Sequence, residues 1–286
     1  MSFSEFYHSI PLKKIAIDDV KIGVRILGSG FDLIFIHGFP TNGYTWRFLL
    51  PELSKHFSCH ILDLPGLGES EWGDHSKFDS TSQAKYILEY IRQIQLDTFD
   101  IIAHNSGATI ARIIGIICTN KLKRLYLMNT EIPNHRPPWI PFYQRIASFF
   151  ITPYILRSLM KNKYFLQSSV GFRELYSDKS LLRNSQYLAY YINPLIRSNQ
   201  KAIGALQYLK GIDWVIIDSF KQLHSDIKAS VILFWGTQDS TFPLLKAYEM
   251  IQQFNNCRLF EIKDSSLLPH EEKPDVIISA VIKYSL

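Results

Sequence analysis

The segment Ile101–Arg112, IIAHNSGATIAR, is built like a corner that presents a reactive side chain. A β-branched run ends in small residues, and a helical pattern follows. Ala103 and Gly107 stand two positions either side of Asn105. That is the spacing of a strained strand-to-helix turn, G-x-nucleophile-x-G, with Ala103 tolerated for the first glycine. Such a turn serves nucleophilic attack, yet Asn105 carries an amide, which is not a nucleophile. Three other segments bear on the same chemistry. FIHGFPTNGYTW (35–46) sets a glycine after an apolar run, where a free backbone N–H can donate to an anion. WGTQDSTFP (235–243) places Asp239 just past another such run, and DSSLLPHEEKP (264–274) leads into the last helical pattern. His37 and His104 each end an apolar run; they are candidates to move protons, although single histidines there more often serve as hydrogen-bonded scaffold.

These segments need a frame to bring them together. KKIAIDDVKIGVRILGSG alternates around an Asp-Asp turn and reads as a hairpin. Six apolar runs follow without alternation, at 32–37, 59–64, 99–104, 124–129, 231–236 and 257–262. Continuous runs of this kind suit strands buried on both faces of a parallel sheet. Helical patterns at 80–96, 107–120, 244–254 and the C-terminus lie between or after them. The expectation is an α/β fold with a doubly wound, mostly parallel sheet. From Asn134 to Trp214 the rhythm stops, and this interval is too long for a loop. It reads as an inserted helical cap over the carboxyl edge of the sheet, where open α/β folds bind ligands. The expected division is a core of 1–133 and 213–286 with a cap of 134–212.

Composition narrows the function. With 286 residues, 47% apolar and 20% charged, the chain is long enough for one large α/β domain. There is no apolar run of the ~18 residues a membrane span needs and no signal-peptide pattern. Cys59, Cys118 and Cys257 show neither metal-ligand spacing nor a disulfide framework, so free thiols, no metal and a cytoplasmic location are expected. Charge is unevenly spread. Ile132–Ile212 holds 11 Lys and Arg against two acids, leaving 20 basic and 24 acidic residues elsewhere. A basic, aromatic-rich cap can be a solvated face, or it can attract an anionic ligand or surface. No nucleic-acid motif accompanies it.

The four segments, in this order and spacing, resemble the α/β-hydrolase fold family, and within it the branch of epoxide hydrolases and haloalkane dehalogenases. HGFP looks like the family's oxyanion loop, LDLPGLGES like the segment after the next strand, and WGTQDSTFP like the loop with the catalytic acid. The resemblance implies that Asn105 stands where the nucleophile belongs, that Asp239 is the acid, and that Phe39 and Ser106 offer backbone N–H groups as oxyanion donors. Aligned on Pro269 and His270, it places Leu267 where the catalytic histidine belongs, with His270 beside it. No cofactor is implied. A hydrolase that lacks nucleophile or histidine loses about 2 × 10⁶ in kcat. The expectation is therefore a weak or inactive relative that keeps a pocket for a small apolar or oxygen-bearing ligand, lined by Phe39, Asn105, Ser106, Trp139, Tyr143 and Tyr190. The alternative is a hydrolase or lyase of non-standard machinery, acting on an ester, epoxide or carbon–halogen bond through His37, His104 or His270. Asp239, without an imidazole, needs another donor: the Asn105 amide, a backbone N–H or water.

Overall fold

The computed structural model describes residues 1–183 and 185–285. Nine strands form one sheet: β1 (Leu12–Ile17), β2 (Val20–Leu27), β3 (Phe31–Ile36), β4 (Phe57–Asp63), β5 (Glu71–Trp72), β6 (Phe99–His104), β7 (Leu122–Met128), β8 (Ser230–Gly236) and β9 (Cys257–Ile262). Their order is β1-β2-β4-β3-β6-β7-β8-β9, with β5 paired to β2. The pairings of β2 with β1, β4 and β5 are antiparallel; β4 and β3 onward through β9 run parallel. All six apolar runs are strands, and the Asp18–Asp19 turn joins the expected hairpin.

Helices cover both faces. α1 (Phe3–Ser9) precedes the sheet, and α2 (Leu50–Leu53), α3 (Ser80–Gln93) and α4 (Ser106–Ile117) connect its first strands. Between β7 and β8 come α5 (Trp139–Ile146), α6 (Thr152–Leu159), α7 (Lys163–Leu166), α8 (Ser185–Ile196), α9 (Asn199–Lys210) and α10 (Trp214–Leu223). α11 (Leu244–Ile251), α12 (Pro269–Glu272) and α13 (Pro274–Ser285) close the chain. Because side chains alternate along a strand, Ile34, Ile36, Ile101 and Ala103 pack in one apolar cluster, while Leu33, Phe35 and Ile102 pack in the other. This two-sided burial is why the runs lack a polar face.

The strand register brings the site together. Ile36, Ala103, Leu127 and Leu233 lie level across β3, β6, β7 and β8. Two residues further on, the same edge carries Gly38, Asn105, Asn129 and Trp235. Chain order reverses between β3 and β6, the position where ligands enter open α/β sheets.

The helices between β7 and β8 are fastened to the core by buried polar contacts. The Glu271 carboxylate, 6% exposed, accepts from Arg47 Nη2 (2.7 Å), Thr45 Oγ1 (2.6 Å), Tyr176 Oη (2.9 Å) and Tyr191 Oη (2.5 Å). Burial pushes its pKa up, but Arg47 and these donors outweigh burial and hold it below the ordinary value. Asn42 Nδ2 also donates to Tyr190 O at 2.9 Å, and Lys201 Nζ to Gly68 O at 3.1 Å. The three cysteines are free, as expected; Cys59 is buried, whereas Cys118 and Cys257 are half-buried.

Candidate active site

Asn105 sits at the corner between β6 and α4 with φ 52° and ψ −133°. This ψ lies outside the left-handed region that asparagine tolerates, so the turn is strained and must be held by its surroundings. Three bonds hold the turn in place. Asn105 N donates to Met128 O (3.1 Å), Thr130 Oγ1 donates to Asn105 O (3.0 Å), and Ala108 N donates to the same oxygen (2.8 Å). Close approach fixes the neighbours. A Cβ on Gly107 would come within 2.3 Å of His37 O, which explains the plus-two glycine. Gly38 is as tightly bound, since a Cβ there would lie 2.5 Å from Asn105 Cβ.

The two backbone donors assigned to an oxyanion are both engaged. Ser106 N donates to Asn105 Oδ1 at 2.7 Å, and Phe39 N donates to Ser106 Oγ at 3.0 Å. Ser106 Oγ also lies 3.0 Å from Tyr208 Oη of α9. Burial pushes the Tyr208 phenol far above its ordinary pKa, so it is no base for that hydroxyl. The Asn105 amide nitrogen donates to nothing among the described residues, leaving its two N–H groups unused at the apex.

Asp239 lies on the next loop but one. It is 5% exposed, with Oδ2 accepting from Asn129 Nδ2 and Oδ1 from Thr241 N, both at 2.7 Å. Gly236 N donates to Asn129 Oδ1 at 2.9 Å, which fixes the Asn129 amide so that its nitrogen faces Asp239. Burial pushes the Asp239 pKa up to about 7, with these hydrogen bonds acting the other way. No imidazole bonds to Asp239 among the described residues. Of the donors considered from sequence, a backbone N–H is present and the Asn105 amide is not; the Asn129 amide was not anticipated. Leu267 is 5% exposed and packs in the apolar core, while its backbone oxygen accepts from His104 Nε2 at 2.8 Å.

The histidines are built into the scaffold. His37 Nε2 accepts from Leu64 N (3.0 Å), so its proton lies on Nδ1, which donates to Gly38 O (3.1 Å). Burial lowers its pKa. His104 gives its one proton to Leu267 O, and burial lowers its pKa to about 4. His270 is fully buried. The Thr45 hydroxyl proton goes to Glu271, so His270 Nε2 is the donor in its 2.7 Å bond to Thr45 Oγ1. Its ring lies 4.5 Å from Trp46 and 4.8 Å from His104. His270 is thus corrected from a pocket residue to a core one.

The expected aromatic lining is corrected in part. Tyr143 packs in the same small apolar cluster as Phe39, and its Oη donates to Val170 O at 3.2 Å. Tyr190 faces elsewhere: its ring lies against Tyr44 (4.5 Å) and His8 (4.6 Å), in a cleft of about 300 Å³ bounded by α1 and α8. Trp139 is 41% exposed at the start of α5, too open to line an enclosed pocket. Tyr208 and Asn129 were missed. Asn129 had a signal, being the polar residue directly after β7; Tyr208 sits on the buried stripe of α9 with Ala202, Ala205 and Leu209 and reads from sequence as core. No cluster of three or more His, Cys, Asp or Glu side chains among the described residues is arranged to hold a metal, and none of their helices is long and apolar enough to cross a membrane.

Comparison with known proteins places this geometry. Residues 33–274 match the family model described as alpha/beta hydrolase fold. The epoxide hydrolase 2 of Caenorhabditis elegans is 23% identical over 284 residues, covering 94% of this chain and 76% of that protein. A soluble epoxide hydrolase of Corynebacterium sp. (strain C12) is 30% identical over 102 residues, 36% of this chain and 35% of its own. Among solved structures, the epoxide hydrolase CorEH without ligand superposes with a TM-score of 0.80 at 18% identity, covering 96% of this chain and 98% of the other.

Proposed function

The chain belongs to the α/β-hydrolase fold family, and on that premise we propose that it binds a ligand at the corner without hydrolysing it. The observation that carries this is Asn105 at the apex, with its own oxygen occupying the Ser106 N–H. An amide there forms no ester intermediate, and Leu267 supplies no base for a second step. Asp239 supports the same reading, since Asn129 and Thr241 satisfy it without an imidazole. With nucleophile and base both absent, only the residual ~10³–10⁴-fold that binding and an oxyanion hole supply remains, and both donors of that hole are occupied. The unused Asn105 amide nitrogen, next in sequence to Ser106, whose hydroxyl meets Phe39 and Tyr208, favours a small apolar ligand bearing an acceptor oxygen, such as an epoxide, ester or other carbonyl compound. The free thiols fit a cytoplasmic location.

The rival is an enzyme using Ser106, whose hydroxyl is positioned by two partners. Against it, burial keeps the Tyr208 phenol protonated, His37 Nε2 already accepts from Leu64 N, and burial holds the His104 pKa down at about 4, too low for an effective base. The test is turnover of activated esters, epoxides and haloalkanes by the wild type, by Asn105→Ala and by Asn105→Asp/Leu267→His. No turnover in the first two, with ligand-induced stabilisation weakened in Asn105→Ala, is the expected result. Wild-type turnover that disappears in Asn105→Ala refutes the proposal. The double variant shows whether acid and corner still align.

A further inference from the structure

The helices between β7 and β8 turn unusual faces to solvent. Of eighteen large apolar side chains exposed among the described residues, ten lie between Trp139 and Val170. Phe150 is 89% exposed, Tyr164 73%, Phe149 60% and Phe142 59%. The pattern is helical and inverted. Ile151, Tyr154, Ile155 and Leu159 recur at i, i+3, i+4 and i+8, the period of a core-facing stripe, yet all four are exposed while Thr152 and Pro153 are buried. α5 and α6 both pack on α9 and are joined by the Phe149–Phe150–Ile151 turn, so their exposed residues form one surface. A contiguous apolar surface of this kind marks an interaction site.

Charge identifies what meets it. From Ile132 to Arg173 there are six basic residues and no acidic one. Arg136 pairs with Asp218, and Arg157 donates to Ile196 O and Asn199. Arg145, Lys161 and Lys163 are exposed, and none has a carboxylate within ion-pair distance among the described residues. A second copy is a poor occupant, because a two-fold interface sets the same cations against one another with no acids between. Aromatic and aliphatic tips interleaved with unpaired cations are what an amphipathic surface presents to anionic lipid.

We propose that this face docks on an anionic lipid bilayer. Phe149, Phe150 and Tyr154 enter the boundary between headgroups and acyl chains, and Arg145, Lys161 and Lys163 lie against lipid phosphates. The proposal goes beyond ligand binding at Asn105 and stands whether or not that corner turns over. The test is co-sedimentation of the full chain with phosphatidylcholine vesicles, with and without phosphatidylserine, at low and high salt. Binding to the anionic vesicles that fades with salt is expected. Phe149→Ser and Phe150→Ser each lower affinity about tenfold, from partial burial of one aromatic ring. Arg145→Gln, Lys161→Gln and Lys163→Gln each lower it about fivefold. These side chains are exposed, so an unchanged melting temperature verifies that the variants fold. Failure to bind anionic vesicles at low salt overturns the proposal, as does equal binding to neutral ones. Wild-type dimers that Phe150→Ser dissociates, without vesicle binding, overturn it in favour of a second copy.

Discussion

Replacing Ser106 by alanine separates a structural hydroxyl from a catalytic one. Ser106 Oγ accepts from Phe39 N and pairs with Tyr208 Oη, each at 3.0 Å, and Tyr208 is only 2% exposed. The substitution strands both partners. A buried polar group left unsatisfied costs about 1–3 kcal/mol, so Ser106→Ala should destabilise the fold by about 3 kcal/mol. Tyr208→Phe removes one bond and leaves the serine its contact with Phe39, which costs about 1 kcal/mol. In the double variant only the Phe39 N–H is stranded, so the total falls below the sum by about 1–2 kcal/mol. The assay is urea unfolding of the four proteins at neutral pH, comparing midpoints at constant slope. Additivity within about 0.5 kcal/mol would show that the hydroxyls do not interact. An unchanged midpoint in Ser106→Ala together with loss of a measurable turnover would refute the structural role and make Ser106 the nucleophile.

Other expectations follow from the same contacts. Gly38→Ala should cost about 1–3 kcal/mol in thermal unfolding, because its Cβ meets Asn105 Cβ at 2.5 Å and His104 O at 2.6 Å, both on constrained backbone. Two buried groups pull stability in opposite directions across mildly acidic pH. Asp239, with a folded pKa of about 7 against an ordinary 3.8, contributes stability that is full below 3.8 and is lost as pH rises through about 7. His104, with a folded pKa of about 4 against 6.5, contributes stability present above 6.5 and lost as pH falls toward 4. The two slopes oppose one another between about pH 4 and 6.5, so urea midpoints of the wild type should change little there, whereas Asp239→Asn loses the falling slope and should gain stability as pH rises through that window. Glu271→Gln removes a carboxylate paired with the buried Arg47 at 2.7 Å and should cost about 3–5 kcal/mol. Hydrogen exchange in α8, which carries Tyr191, should accelerate in that variant; unchanged exchange would mean the pair does not hold the helix.

The sheet was legible because burial on both faces writes one signal, the uninterrupted apolar run, and all six runs became strands. β5, two residues long, has no run to read, and α1 is too short for periodicity although Ser2 and Glu5 form a capping box that marks its start. The corner was legible for a steric reason: Gly107 is required by His37 O, and that requirement leaves a spacing in the sequence. The partners of its side chains were not. Tyr208 meets Ser106 from 102 positions away, and Asn129 meets Asp239 across 110. Such contacts depend on how α9 crosses the sheet edge and on register between β7 and β8, which local pattern does not encode. The expected pocket lining failed for a related reason. Aromatic residues between β7 and β8 were assigned inward by type, whereas Trp139 faces solvent and Tyr190 fills a different cleft.

Tyr176 and Tyr191 come from the interval between β7 and β8, whereas Thr45, Arg47 and Glu271 lie outside it. The five therefore form one hydrogen-bonded unit that spans the interval and the core. A chimaera carrying the corresponding interval of a relative, without hydroxyls at those two places, would bury the Glu271–Arg47 pair with two of its three hydroxyl and phenol donors missing. Recombination between genes of this family would then tend to preserve breakpoints that move both tyrosines with the glutamate, and laboratory shuffling libraries should recover the same linkage.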